Sequence, residues 1–123
     1  MKYMILIHGN LKSREAWEGF SEAEKATGFS AYAALDEDLA ASGEMIVSEA
    51  LADPSLAKTV MIRDGETMTT DGPFAEAKEH LAGFYLIDCE SIERAIEHAA
   101  RIPEADLGLV EVRPVMDLSA FET

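Results

Sequence analysis

The sequence predicts an α+β fold built from two strand–helix–strand units with a β-hairpin between them. Three observations support it: short runs of apolar, β-favouring residues, two segments with helical periodicity, and a two-residue Asp-Gly turn. The order β-α-β, β-β, β-α-β favours a ferredoxin-like sandwich with helices on one sheet face. At 123 residues and 48% hydrophobic side chains, one domain over residues 1–123 is expected, with a flexible tail at 117–123.

The first unit begins with a strand over residues 2–8. A loop or short helix carrying Trp17 and Phe20 follows. Ser21 and Glu24 fit a capping box, so a helix begins after Ser21 and either extends to residue 42 or restarts after a glycine. Gly43 is its expected C-cap and residues 45–51 form the next strand. The helical spacing predicts an apolar face made of Phe29, Tyr32, Ala33, Asp36, Leu39 and Ala40.

A β-hairpin follows, with Asp64 and Gly65 as its two turn residues. Both positions of a type I′ turn require positive φ, which Asp-Gly tolerates. The register then places Arg63 opposite Glu66, and Met61 opposite Met68. The hairpin is expected to lengthen or extend the sheet.

The second unit starts with a strand over residues 81–89. Ser91 is the expected N-cap of a helix that Pro103 ends, and residues 107–115 form the last strand. His98, on that helix, is expected to be exposed. The apolar stripe of the helix is predicted to contain Ile92, Ala95, Ile96, Ala99 and Ala100.

Two strands are apolar on both faces, over residues 4–7 and 84–87. Because the helices cover one face only, something else must cover the other. This pattern predicts a homodimer whose sheet faces pack together in an α/β-barrel-like assembly. The alternative is that the loop with Trp17 and Phe20 folds over the second face.

The charge balance narrows the possible partners. With 10 basic and 24 acidic side chains the formal charge is −14, which argues against nucleic acid and anionic membranes as partners. Cys89 is the single cysteine and is expected to serve in packing. No apolar run approaches a membrane span, and no metal-ligand or phosphate-loop motif stands out, so we expect a cytoplasmic protein without metal or cofactor.

The segment from Thr70 to Ile87, with Asp71-Gly72-Pro73-Phe74 near its start, resembles the signature of the DGPF branch of the YCII-related proteins. Residues 2–7 and 110–115 are similar to that family's two ends. The resemblance implies a ferredoxin-like fold that dimerises sheet to sheet, and it implies no known reaction. Some members of that branch occur beside or fused to alternative sigma factors.

The wider YCII family has a proposed His–Asp pair that suggests acid–base work. Alignment through Gly43 and Pro103 places the histidine position on Tyr32 and the aspartate position on Ile102. Neither residue matches, so the pair is not carried over to this chain. A tyrosine could bind or donate, but it does not replace an imidazole base near neutral pH.

The DGPF segment supplies the candidate site residues. Asp71 is the candidate acceptor or catalytic base and Phe74 an apolar wall; the alternative is that the segment is only a turn. Lys78 could bind an anionic group within a polar rim that includes Glu76 and His80; the alternative is a solvated loop.

Polar residues at the ends of other strands form a second candidate patch. Glu49 and Arg113, with His8 and Glu111, are expected to lie in a cleft between subunits or to form an ordinary ion pair.

The sequence thus predicts a homodimer that binds a small anionic molecule and could be a cofactor-independent acid–base enzyme. Its pocket would be walled by Tyr32, Phe74 and Tyr85, with Asp71 and Lys78 at the mouth. The alternative is a non-catalytic dimeric accessory or regulatory module that binds another protein.

Overall fold

The structure is a computed structural model that describes residues 1–121. Its strands and α-helices are β1 (Lys2–Gly9), α1 (Leu11–Glu18), α2 (Glu22–Ser42), β2 (Met45–Ala50), β3 (Lys58–Arg63), β4 (Glu66–Asp71), β5 (His80–Asp88), α3 (Ile92–Ala99) and β6 (Val110–Pro114). Short 3₁₀ helices lie at Pro54–Leu56, Pro103–Leu107 and Leu118–Phe121.

Four strands form an antiparallel sheet in the order β2-β5-β1-β6. Each strand–helix–strand unit therefore contributes one central and one edge strand, which confirms the ferredoxin-like α+β prediction. Ile5 of β1 lies opposite Tyr85 of β5 on one side and Val112 of β6 on the other.

Each of the α-helices α1, α2 and α3 begins directly after a residue whose side chain caps its first turn. Ser21 accepts a hydrogen bond from the Glu24 amide at 3.1 Å, and the Glu24 carboxylate accepts one from the Ser21 amide at 3.0 Å. Ser91 caps α3 in the expected way, and Asn10 caps α1. These bonds satisfy amides that the first turn leaves without helical partners.

Helix α2 is continuous, and its buried face differs from the predicted one. Leu35 and Leu39 are fully buried, whereas Phe29 is 63% exposed. Ala33, Asp36 and Ala40 are also exposed, so the predicted face is corrected to one centred on Leu35. The prediction weighted the spacing of alanines, which fill little space and do not determine how a helix rotates against a sheet.

Helix α3 buries Ala95, Ala99 and His98. The expectation that His98 is exposed is wrong, because its ring is 4% exposed and bonds Glu44 at 3.1 Å. Ile96, predicted to lie in the apolar stripe, is half exposed. The partly buried Glu44 carboxylate on the neighbouring segment offsets the cost of burying the His98 imidazole.

The hydrophobic core lies between helices α2 and α3 and one face of the sheet. Side chains of β1 and β5 alternate, so one set points toward the helices. Burial raises the pKa of the Cys89 thiol, in keeping with its expected packing role. The core consists of Tyr3, Ile5, Ile7, Leu35, Leu39, Tyr85, Ile87, Cys89, Ala95, Ala99 and Ile102.

The hairpin of β3 and β4 forms a separate two-stranded sheet. Its predicted register is confirmed, with Arg63 opposite Glu66, and its turn residues Asp64 and Gly65 have φ of 51° and 79°. The expectation that it extends the main sheet is wrong. Pro54 and Pro73, before and after the hairpin, cannot donate to a strand ladder, and the chain turns away from the sheet at both.

The other face of the four-stranded sheet, here called the open face, carries Met4, Leu6, Val47, Phe84 and Leu86. Trp17 does not cover it, because its ring packs at α2, 5.3 Å from the Phe29 ring centroid. The predicted homodimer, which would cover the open face, stays a prediction.

The remaining predictions concern the chain's end and membranes. Leu118–Phe121 form a 3₁₀ helix, and residues 122–123 of the predicted tail lie outside the described residues. Leu107, expected in the last strand, ends a 3₁₀ helix instead, since Pro103 begins one.

Across the described part of the chain, no helix combines the length and apolarity that crossing a bilayer requires.

Candidate functional site

Two adjoining cavities of about 420 and 440 Å³ lie beside the ends of β2 and β5. They share six lining residues and are treated as one groove, called the β2–β5 groove. Apolar side chains dominate the wall, with few polar groups among them, which is the composition of a small-molecule site. The shared residues are Leu51, Ala52, Asp53, Pro54, His80 and Leu81.

One side of the groove is built where β2 ends. The Leu51 amide donates to the Ala82 carbonyl at 2.8 Å, which fixes the chain at the last sheet position. Asp53 then caps the 3₁₀ helix by accepting from the Ser55 amide at 2.9 Å, and Arg14 donates to the same carboxylate at 2.7 Å. The bond from Ser55 is the main cause of a lowered pKa for Asp53, with Arg14 a smaller one.

The opposite side is the DGPF segment after β4. The Gly72 amide donates to the Ala57 carbonyl at 2.7 Å, and the Thr59 hydroxyl donates to the Gly72 carbonyl at 2.9 Å. Gly72 has φ of 86°, which a side chain would strain. This turn aims Phe74 at the groove, whose edge it forms while remaining 73% exposed.

His80 is one of the six residues that line both cavities, so it lies where the two adjoin. Among residues 1–121, no side chain or backbone group forms a hydrogen bond with its ring. Arg14 and Ser13 line the groove on one side of it and Glu79 on the other. An imidazole placed in this way can both bind an anion and exchange a proton.

The predicted residues Asp71 and Lys78 do not line this groove. Asp71 forms an ion pair with Lys58 at the base of the hairpin, and its side chain is 83% exposed. Lys78 is exposed on the loop. Of the residues predicted for one pocket, Phe74 alone reaches the groove.

Tyr32 and Tyr85 lie on the helix-covered side of the sheet. The Tyr32 hydroxyl donates to Glu104 and the Tyr85 hydroxyl donates to Asp36 at 2.5 Å. Burial is the largest cause of a raised pKa for both phenols, and the carboxylate that each bonds is the next. The structure thus brings the tyrosines together but separates them from Phe74.

Glu104 gives the Tyr32 position a carboxylate partner after all. It lies two residues beyond Ile102, the position that aligns with the family's aspartate. The neutral Tyr32 phenol donates a hydrogen bond to Glu104 and so joins α2 to the 3₁₀ helix Pro103–Leu107. It is not a base, because the raised pKa keeps the proton on the phenol.

We expect both phenols to resist ionisation in the folded protein. In a spectrophotometric titration, Tyr32 and Tyr85 should ionise only well above pH 10, or together with alkaline unfolding. Replacing Tyr32 by Phe should remove one late-ionising phenol and cost about 1 kcal/mol of unfolding free energy. Ionisation of these two tyrosines below pH 10 with intact circular dichroism would contradict the assignment.

Glu49 and Arg113 both lie on the open face, at opposite edges of the sheet. Glu49 pairs with Phe84 across β2 and β5, and Arg113 pairs with Met4 across β6 and β1. His8 and Glu111, on the same face, bond each other at 3.2 Å. The predicted polar patch is therefore divided between the two edges.

Sequence reasoning missed the groove's β2 side. The sequence prediction places no site residue at 53–55, and Arg14 lies 39 positions before its partner Asp53. The one local signal was Asp-Pro-Ser, a sequence typical of a capped turn. Within residues 1–121, no three His, Cys, Asp or Glu side chains are grouped so that they could hold a metal ion.

The strand order, the helices on one face and the lateral groove define a ferredoxin-like α+β domain with an inserted hairpin. The sequence matches the YCII-related domain over residues 1–119, so the chain belongs to the YCII-related family. An uncharacterised protein from Rhizobium meliloti (strain 1021) is 34% identical over 117 residues, which cover 94% of this chain and 92% of that protein. The family resemblance is confirmed, and the DGPF branch stays a prediction.

Proposed function

We propose that the protein is a homodimer that binds a small organic acid in the β2–β5 groove. The observation that carries the proposal is the His80 ring, which has no hydrogen-bond partner among residues 1–121 and lies in a mainly apolar groove. The run Asp71 to Phe74, of which Pro73 and Phe74 line the groove, supports membership of the DGPF branch.

The groove suggests how such a ligand would bind. Its apolar body would pack against Leu51, Leu81 and Phe74, which removes apolar surface from water. Its carboxylate would lie near His80 and Arg14, the two groove side chains that can carry positive charge. In a chain of net charge −14, these two groups also offset the repulsion that an anion meets on approach.

Proton transfer at this site would use His80. Asp71, the base suggested by the sequence, is engaged by Lys58 and lies outside the groove. An imidazole is the side chain best suited to give and take a proton near neutral pH. We therefore propose that any acid–base step depends on His80 and needs no cofactor.

The open face supports the homodimer. Five apolar side chains on this face have no covering layer of helix within the described chain. Packing of this face on its own copy across a two-fold axis would cover these side chains in both subunits at once.

A thermal-shift series tests ligand binding. Acids from acetate to phenylacetate, with the matching amides as uncharged controls, are added at millimolar concentration to the purified protein. We expect at least one acid, and not its amide, to raise the melting temperature, because binding to the folded state alone stabilises it. The shift should vanish in His80→Gln.

Lys78→Ala is the matched control, since it removes a cation of the same loop from outside the groove. It should keep the full shift. The proposal fails when no acid shifts the melting temperature, or when His80→Gln and the wild type respond equally. A response lost in Lys78→Ala alone would favour the loop lysine that the sequence suggested.

The alternative of a non-catalytic accessory module remains a second proposal, favoured by the acidic charge of −14. Its partner would be a basic protein. A blank acid screen, together with co-purification of a basic protein that is lost at high salt, would favour it.

A further inference from the structure

Among the strands that the structure describes, β3 and β4 of the hairpin are the least covered. Every residue of β4 is exposed, and in β3 only Thr59 is half-buried. Val60 and Ile62, on one face of the hairpin, are 62% and 64% exposed, while Met61 and Met68 lie half-exposed on the other. Both faces of the hairpin therefore carry exposed apolar side chains in the middle of the strands.

Contacts at its base join the two ends of the hairpin to each other. Lys58 pairs with Asp71, and Gly72 bonds Ala57 and Thr59. Two strands alone, without a third strand or a covering helix, are marginally stable in water. A regular hairpin of this length is therefore expected to have a covering surface in the working protein.

We propose that the hairpin is a dimerisation arm that packs on a second copy of the chain. The proposal rests on the homodimer proposed above and adds a second contact to it. Each subunit would extend its arm to the other, so that the two arms are related by the same two-fold axis as the sheets.

The area of the open face supports a second contact through the arm. With strands ~4.8 Å apart and a rise of ~3.3 Å per residue, a four-stranded face about six residues long covers roughly 400 Å². A stable interface needs about 800 Å² from each partner. The open face therefore supplies roughly half of what is required.

The arm supplies the remainder. One face of a two-stranded arm six residues long covers roughly 200 Å² by the same spacing. Each subunit contributes its own arm and also the surface beneath its partner's arm, which adds roughly 400 Å². Sheet and arms together reach the area of a stable dimer.

The charge distribution along the arm fits a like-charged partner. Its middle, residues 59–62 and 67–70, carries no charged side chain, and its charges lie at the tip and the base. Two chains of charge −14 repel each other at long range, so contact through uncharged surface adds the least further repulsion. The middle of the arm provides such a surface, and a basic partner protein would not need it.

The test removes the apolar groups of one face without changing charge or strand preference. In Val60→Thr/Ile62→Thr, we expect the dimer dissociation constant, measured by dilution in analytical ultracentrifugation, to rise about 10-fold or more. Ile96→Thr is the control, because it removes an isoleucine of similar exposure, 51% against 64% for Ile62, from α3. It should leave the constant unchanged.

Three results separate this proposal from the one on which it rests. A wild-type chain that is monomeric at micromolar concentration overturns both. A wild-type dimer whose dissociation constant is the same in Val60→Thr/Ile62→Thr overturns the arm and leaves the sheet dimer standing. A dimer weakened by the double variant, with hairpin amides that exchange faster on dilution, supports both.

Discussion

Replacing Phe84 by Lys is expected to convert the proposed dimer into a monomer. Phe84 lies on the open face, half-buried between Leu6 of β1 and Glu49 of β2. In a sheet-to-sheet dimer a lysine there would be desolvated without a partner, at a cost of several kcal/mol per subunit. In a monomer it remains in water and directly opposite Glu49, which favours the folded subunit.

The measurement is the molar mass by light scattering, with circular dichroism to verify the fold. We expect about twice 13.4 kDa for the wild type and 13.4 kDa for Phe84→Lys. Ala26→Lys adds the same charge on the exposed side of α2 and should stay dimeric. The sheet dimer is refuted by a monomeric wild type, or by a Phe84→Lys protein that keeps the doubled mass.

Replacing Glu44 by Gln is expected to lower the free energy of unfolding by about 2 kcal/mol at pH 7. The Glu44 carboxylate accepts two hydrogen bonds from Arg94, at 3.1 and 3.2 Å, and one from His98 at 3.1 Å. Glutamine keeps the size but loses the charge. The buried His98 ring and the Arg94 guanidinium then lose an ionised acceptor.

The pH dependence of stability has a definite sign. Hydrogen bonds from Arg94, the largest cause, lower the pKa of Glu44 from 4.5 to about 2. Its stabilisation is therefore fully present above pH 4.5 and is lost as the pH falls toward 2. Solvent around the partly exposed Arg94 reduces the full linkage value of ~3 kcal/mol to about 2 kcal/mol.

Urea unfolding at pH 7 and at pH 3 measures both effects. Glu97→Gln is the matched control, since Glu97 bonds the same Arg94 but is largely exposed. It should lower the free energy of unfolding by less than about 0.5 kcal/mol, which is typical of a surface ion pair. The difference between wild type and Glu44→Gln should shrink at pH 3. Equal effects of the two variants at pH 7 would contradict a special role for Glu44.

The fold was predictable because its signals are local. The capping box at Ser21, the Asp64-Gly65 turn and the cap at Ser91 each depend on residues a few positions apart, and all three were confirmed. The rotation of α2 was not predictable, because it depends on which side chains fit the sheet. Leu35 is buried against the sheet and Phe29 is exposed, and the helical period alone does not determine which of the two is buried.

The candidate site was predictable only in part. The turn at Gly72 indicated a rigid loop, and Phe74 does form the rim of the groove. The opposite wall depends on the ion pair of Arg14 with Asp53 and on the bond from Leu51 to Ala82, which join segments distant in sequence. Tyr85 was placed in the pocket as an aromatic residue, yet the alternation of β5 turns it toward α2.

The bond from the Gly72 amide to the Ala57 carbonyl joins two elements that would otherwise act separately. Ala57 and Pro73 line the groove, while Lys58 and Asp71, their neighbours in sequence, begin and end the hairpin. Ligand binding in the groove and packing of the arm on a second subunit would therefore both act on this one hydrogen-bonded junction. By thermodynamic reciprocity, an acid that tightens the dimer must itself be held more tightly by the dimer, by the same factor.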